Sequence, residues 1–175
     1  MKKLLTILMV GLLVFASVGT AFAEEPDLTS RTQLSLEQMQ QMREAGQRYK
    51  ALKEFKDEIH QINELRIERL ELKTQQIEKN DSIIDLYISA REEGNKEALL
   101  EAREARKQIK EINKEISELH KQLKEERKAF REDVKNDNFD EAREHINKVI
   151  SIKEQINSKV EAKLGLLDQI IEILS

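Results

Sequence analysis

Three histidines, His60, His120 and His145, carry the only side chains able to serve as a neutral-pH acid, base or soft metal ligand, because the 175-residue chain has no cysteine. A metal site on one helix needs ligands four residues apart, as His60 has with Glu64 and His145 with Glu141. Glutamate is too abundant here for that spacing to be selective, and there is no HExxH sequence. Each histidine therefore reads as a solvated or half-buried helix residue. Phosphate-cradling glycine loops and the GxSxG nucleophile turn are also missing, and the carboxylates alternate with lysines as they do on solvated helix faces. The expected class is a binding protein with no enzymatic activity, no cofactor and no metal.

Binding needs apolar side chains that a partner can reach. Met39, Met42, Tyr49 and Phe55 fall in one stretch that also holds Arg43, Arg48, Lys50, Lys53 and Lys56 against Glu44 and Glu54. A polarizable apolar surface rimmed by cations adapts to many partners. Met39, Met42, Arg43, Arg48, Tyr49 and Phe55 are accordingly the candidate client-binding residues. The competing reading makes them ordinary core with a solvated flank. The basic stretch around Phe130 invites the same two readings.

Residues 1–23 read as a cleaved signal peptide. Lys2 and Lys3 precede an apolar run from Leu4 to Val18, and Ala21-Phe22-Ala23 is a small-x-small cleavage pattern. The leader implies export, to a periplasm or to the extracellular or cell-wall space. Its two lysines leave with it, so a chain already at formal charge −4 becomes more acidic. With acids and bases interspersed, nucleic acid is not an expected partner, and no membrane span is expected after cleavage.

The rest of the chain reads as helix. Residues 24–34 hold the single proline and form a flexible arm, and residues 35–175 form one helical domain. Ser35 and Gln38 have capping-box spacing, flanked by Leu34 and Met39 as a hydrophobic staple. The helix that follows has Gly46 as its weak point, and its later apolar residues Leu65, Ile67, Leu70, Leu72 and Ile77 spread around it, suggesting more than one neighbour. Breaks are expected at Asn80-Asp81-Ser82, Gly94-Asn95 and Asn136-Asp137-Asn138. Ile109, Ile112, Ile116, Leu119 and Leu123 keep the four-three spacing of a seam facing another helix. A last helix runs from Phe139 nearly to Ser175, with Lys153 and Lys163 intruding on its apolar stripe. The turns GNKEAL and DNFDEA look like similar helix caps. The fold class is all-α: elongated antiparallel helical hairpins or a coiled-coil-like bundle of three to four long helices. Incomplete cover of the apolar faces predicts a homodimer.

The stretch LSLEQMQQMREA at 34–45 resembles the LTxxQ motif of the Spy/CpxP family of periplasmic stress proteins, with Leu34, Ser35 and Gln38 in the defining positions and Ser for Thr. Residues 136–175, opening on an F-D turn, are similar to that family's later segment. The resemblance implies a curved helical dimer that binds unfolding proteins without ATP, among relatives linked to envelope stress and metal resistance. On this reading the chain is an exported, ATP-independent holdase whose partners are unfolded or partly folded proteins. Two other readings stand beside it. One is a structural coiled-coil envelope protein that self-assembles or holds one specific partner; the other is a metal-responsive stress protein.

Overall fold

The computed structural model describes the backbone of residues 36–175 and the side chains from Ala45 onward. The leader, the arm, the cap at Leu34 and Ser35, and the side chains of Gln38, Met39, Met42 and Arg43 lie outside the described residues. Four helices occupy that span: α1 (Leu36–Glu54), α2 (Lys56–Glu92), α3 (Lys96–Lys135) and α4 (Phe139–Leu174), with no strand among the described residues. At 1.5 Å per residue α3 is about 60 Å long, so its apolar stripe is covered only if the chain returns along it. It does so as α4.

The two reversals have the same construction. After α2, the Asn95 amide donates to the Ala90 carbonyl and the Gly94 amide to that of Arg91; after α3, Asn138 donates to Asp133 and Asp137 to Val134. These are paired Schellman caps, whose closing residue must take a left-handed conformation. Gly94 does so at φ 75°, and Asp137 at φ 59°. Asn95 then caps α3, its side chain accepting from the Ala98 amide at 3.2 Å. Asn138 holds the same place before α4 but makes no side-chain cap bond.

The expected break at Asn80-Asp81-Ser82 does not occur, and α2 runs through it unbroken. The Ser82 hydroxyl donates back to the Glu78 carbonyl at 3.2 Å in place of starting a new helix, and the next residue, Ile83, is buried in the core. Tertiary packing outweighs the local capping preference. Nor does the chain break at Gly46. The interruption falls at Phe55, where φ is −109° and ψ 25° while backbone bonds from Phe55 to Ala51 and from Ile59 to Phe55 continue across.

Phe55 is the reason for that bend. Its ring is 0 % exposed, edge-on to Phe130 at 5.2 Å and tilted against Phe139 at 6.0 Å, in a cluster with Ala142 and Ile146. Arg143 lies over the ring at 5.2 Å and pairs with Glu54 and Glu58 on either side of the bend. Gln47 donates to the Lys135 carbonyl at 3.1 Å. The bend is thus fastened to the turn between α3 and α4.

Helix α4 is the central element. It packs along α2 and along α3, which touch one another much less. It runs parallel to α2, as shown by Gln61 with Glu154, Leu65 with Asn157 and Lys79 with Asp168, and antiparallel to α3, as shown by Glu115 with Lys159 and Asn113 with Lys163. Its buried residues, from Ala142 through Ile156, Val160 and Leu167 to Leu174, fill the main core. Near the α2–α3 turn, Ala90, Ala98, Ala102 and Ala105 are all buried, and residues this small let the helices approach closely there.

Candidate binding surface

The surface expected at residues 39–55 divides in the structure. Arg48 and Tyr49 are exposed, Tyr49 at 70 %, but Phe55 belongs to the core and leaves the candidate set. The helical period already puts Tyr49 and Phe55, six residues apart, on different faces, and Phe55 sits at the bend where α1 meets α2. The seam residues Ile109, Ile112, Ile116, Leu119 and Leu123 are all brought together, and their partner is α4 of the same chain. The pattern that suggested assembly between chains is satisfied within one.

Of the large apolar side chains left exposed, Tyr49 and Leu52 are on α1, Leu100 is on α3 and the rest lie on α2. Ile67, Leu70, Ile77, Ile84 and Ile88 are each between 51 and 64 % exposed. Together with Thr74 and Asp81 they keep a three-four spacing over six turns, a single stripe about 32 Å long at 1.5 Å per residue. The opposite face of the helix buries Leu72, Ile83 and Ala90 but also turns Arg69, Gln76 and Lys79 toward the core, where they are half-buried. Lys79 is neutralised by Asp168. A helix that points polar groups inward and isoleucines outward has its apolar surface placed for something other than its own fold.

One end of the stripe opens into a cleft. Where α2 and α3 part above α4, Arg66, Arg69, Leu70, His120, Leu123, Lys153, Ile156 and Asn157 line a cavity of about 240 Å³. Asn157 is buried and donates to the Leu65 carbonyl at 3.0 Å and to the Glu68 carboxylate at 2.8 Å, which fixes the cleft floor to α2. The cations are uncompensated. Interhelical ion pairs are made elsewhere, by Lys79, Arg143 and Lys159, and among the described residues none involves Arg66, Arg69, Arg127 or Lys153. The Arg69 Nη1 atom is buried without a hydrogen-bond partner.

The titration of the cleft follows. Burial, reinforced by the charges of Arg127, Arg66 and Arg69, pushes the Lys153 ammonium down from 10.5 to about 8. Burial also lowers Arg69, and it lowers Arg127 with help from Arg131 and Arg66. His120 is lowered by burial and by the charges of Arg69, Arg127 and Lys153. Lys163, half-buried further along α4, is lowered by burial and by Arg69.

No family model, curated protein or solved structure matches this chain. The side chains themselves are therefore the basis for its function.

The histidines do not meet. His145 has Glu126 at 2.5 Å from Nδ1 and Asp133 at 3.5 Å from Nε2, bracing α4 against α3, while His120 faces the cleft. Among the described residues no group of three or more histidine and carboxylate side chains could hold a metal ion, and no helix is long and apolar enough to cross a membrane.

Proposed function

We propose that this is an exported, ATP-independent binding protein that holds unfolded or partly folded polypeptides, a holdase of the Spy/CpxP type. The observation that carries the reading is the outer stripe of α2, where Ile67, Leu70, Ile77, Ile84 and Ile88 are exposed while Arg69, Gln76 and Lys79 of the same helix face inward. An apolar stripe offers non-directional contact to any exposed apolar segment, and the exposed cations Arg48, Lys50 and Lys53 on α1 would aid capture of acidic chains. Tyr49 and Leu52 on α1 add reachable apolar surface. The test is light scattering of two chemically unrelated aggregating clients, without ATP, at low and high salt. Protection of both supports the reading; protection of neither refutes it.

Self-assembly along the same stripe is the second reading, favoured by its three-four spacing. Asp81 lies within the stripe, and burying an unpaired carboxylate in a dimer seam costs several kcal/mol, on the order of 3–5. A permanent seam is thus disfavoured relative to transient, adaptable contact. A concentration-independent monomer mass in sedimentation that persists while clients are protected would separate the two.

A further inference from the structure

The cleft between α2, α3 and α4 is built unlike the rest of the molecule. Elsewhere half-buried cations between helices have a partner: Lys79 has Asp168, Arg143 has Glu54 and Glu58, and Lys163 donates to the Asn113 side-chain oxygen at 3.1 Å. Here Arg66 and Arg69 come from α2 and Lys153 from α4, Arg127 of α3 lies beside the cleft without lining it, and the carboxylate bordering the floor, Glu68, is engaged by Asn157. Three lining cations drawn from two helices in an acidic protein, with a fourth beside them, repel one another, and the fold has to hold that repulsion in place. Such an arrangement is relieved by a counter-charge that the chain itself does not provide.

We propose that this cleft is a binding site for a compact multivalent oxyanion of the phosphate class. A single carboxylate would leave most of the positive charge unmatched, whereas a phosphate group brings two charges and several acceptor oxygens to planar guanidinium donors suited to it. The Arg69 Nη1 proton donor, buried and unbonded, is one donor such an oxygen would satisfy. Leu70, Leu123 and Ile156 on the walls would accept the uncharged part of a phosphate ester. The site is independent of client binding along the outer α2 stripe, although Leu70 borders both.

The experiment is calorimetric titration of the protein with inorganic pyrophosphate at low ionic strength in a phosphate-free buffer at pH 7, with a parallel thermal-shift series. One saturable site per chain, weakening with salt, and a pyrophosphate-dependent rise in Tm are expected. Arg69→Gln and Lys153→Met should each weaken binding by about tenfold or more, the scale of one lost charge-assisted contact. Lys153→Met alone should also raise the Tm of the free protein, so its lost binding cannot be assigned to misfolding. Sedimentation with phosphatidylglycerol vesicles identifies the source: co-sedimentation lost in both variants supports a lipid headgroup, and pyrophosphate binding without co-sedimentation supports a soluble phosphate. Failure of both probes to bind, or equal binding by wild type and both variants, would overturn the assignment.

Discussion

Arg69 on α2 and Lys153 on α4 line the same cleft, and neither is paired with a carboxylate among the described residues. Like charges held together in partial burial destabilise the folded chain and lower the pKa of the group that can titrate. Lys153 has a lowered folded-state pKa of about 8 against 10.5 in the unfolded chain. Its penalty is therefore complete below about pH 8 and fades as pH rises toward 10.5, since the unfolded state binds more protons across that window. Lys153→Met should raise stability at pH 7 on the order of 1 kcal/mol after allowance for solvent screening. Urea denaturation of both proteins at pH 7 and pH 10 should show the gap narrowing; a less stable variant, or a constant gap, would contradict this.

Phe55 is buried at the bend, whereas Tyr49, six residues earlier on α1, is exposed. Phe55→Ala removes a fully buried ring from the cluster of Phe130, Phe139, Ala142 and Ile146 and should cost about 3–5 kcal/mol. Tyr49→Ala should change stability by less than about 0.5 kcal/mol. Denaturant midpoints check the pair, and similar costs for both would mean the bend is not anchored as described.

The pair of turns gives opposite expectations from the same geometry. Gly94→Ala places a Cβ at φ 75° and should destabilise by about 1–2 kcal/mol. Asp137→Gly relieves a positive φ of 59° and should stabilise by up to about 1 kcal/mol, since the contacts it gives up, with Gln47 at 3.4 Å and Lys50 at 4.0 Å, are exposed and long. Thermal melts of the two variants shifting in the same direction would refute the shared-cap reading.

Ile116 lies in the seam that α4 covers within one chain. Ile116→Asp should unfold the chain or cost more than about 3 kcal/mol, with no dependence on protein concentration. A variant that stays folded but changes its sedimentation mass would show that the seam serves assembly after all.

Much of this architecture was legible from residue type and spacing. Gly94, Asn95 and the Asn136-Asp137-Asn138 run mark real turns, because left-handed conformations and caps are local properties of single residues. The seam from Ile109 to Leu123 and the stripe of α4 are real for the same reason: a four-three period on a long helix leaves few alternatives. The spread of apolar residues around α2 suggested more than one neighbour, but α4 covers mainly one face and Ile67, Leu70 and Ile77 stay exposed, while Arg69, Gln76 and Lys79 occupy the inner side. The false break at Asn80-Asp81-Ser82 arose because Ser82 can bond forward or back, and buried Ile83 decides the matter from a distance in sequence. For Phe55 the competing reading as core is the one that holds, and nothing local announces the bend that it anchors. The cationic cleft draws on residues 66, 69, 120 and 153, and only the packing of three helices brings them together.

Site-specific photo-crosslinking of an unfolding client tests the binding surface most directly. A photoreactive residue at position 77 or 84, on the outer stripe of α2, should yield abundant client adducts, while the same group at Lys114 or Lys121, exposed on α3 in pairs with Glu111 and Glu118, should yield few. Equal labelling from all four positions, or adducts from α3 alone, would contradict a client surface on α2.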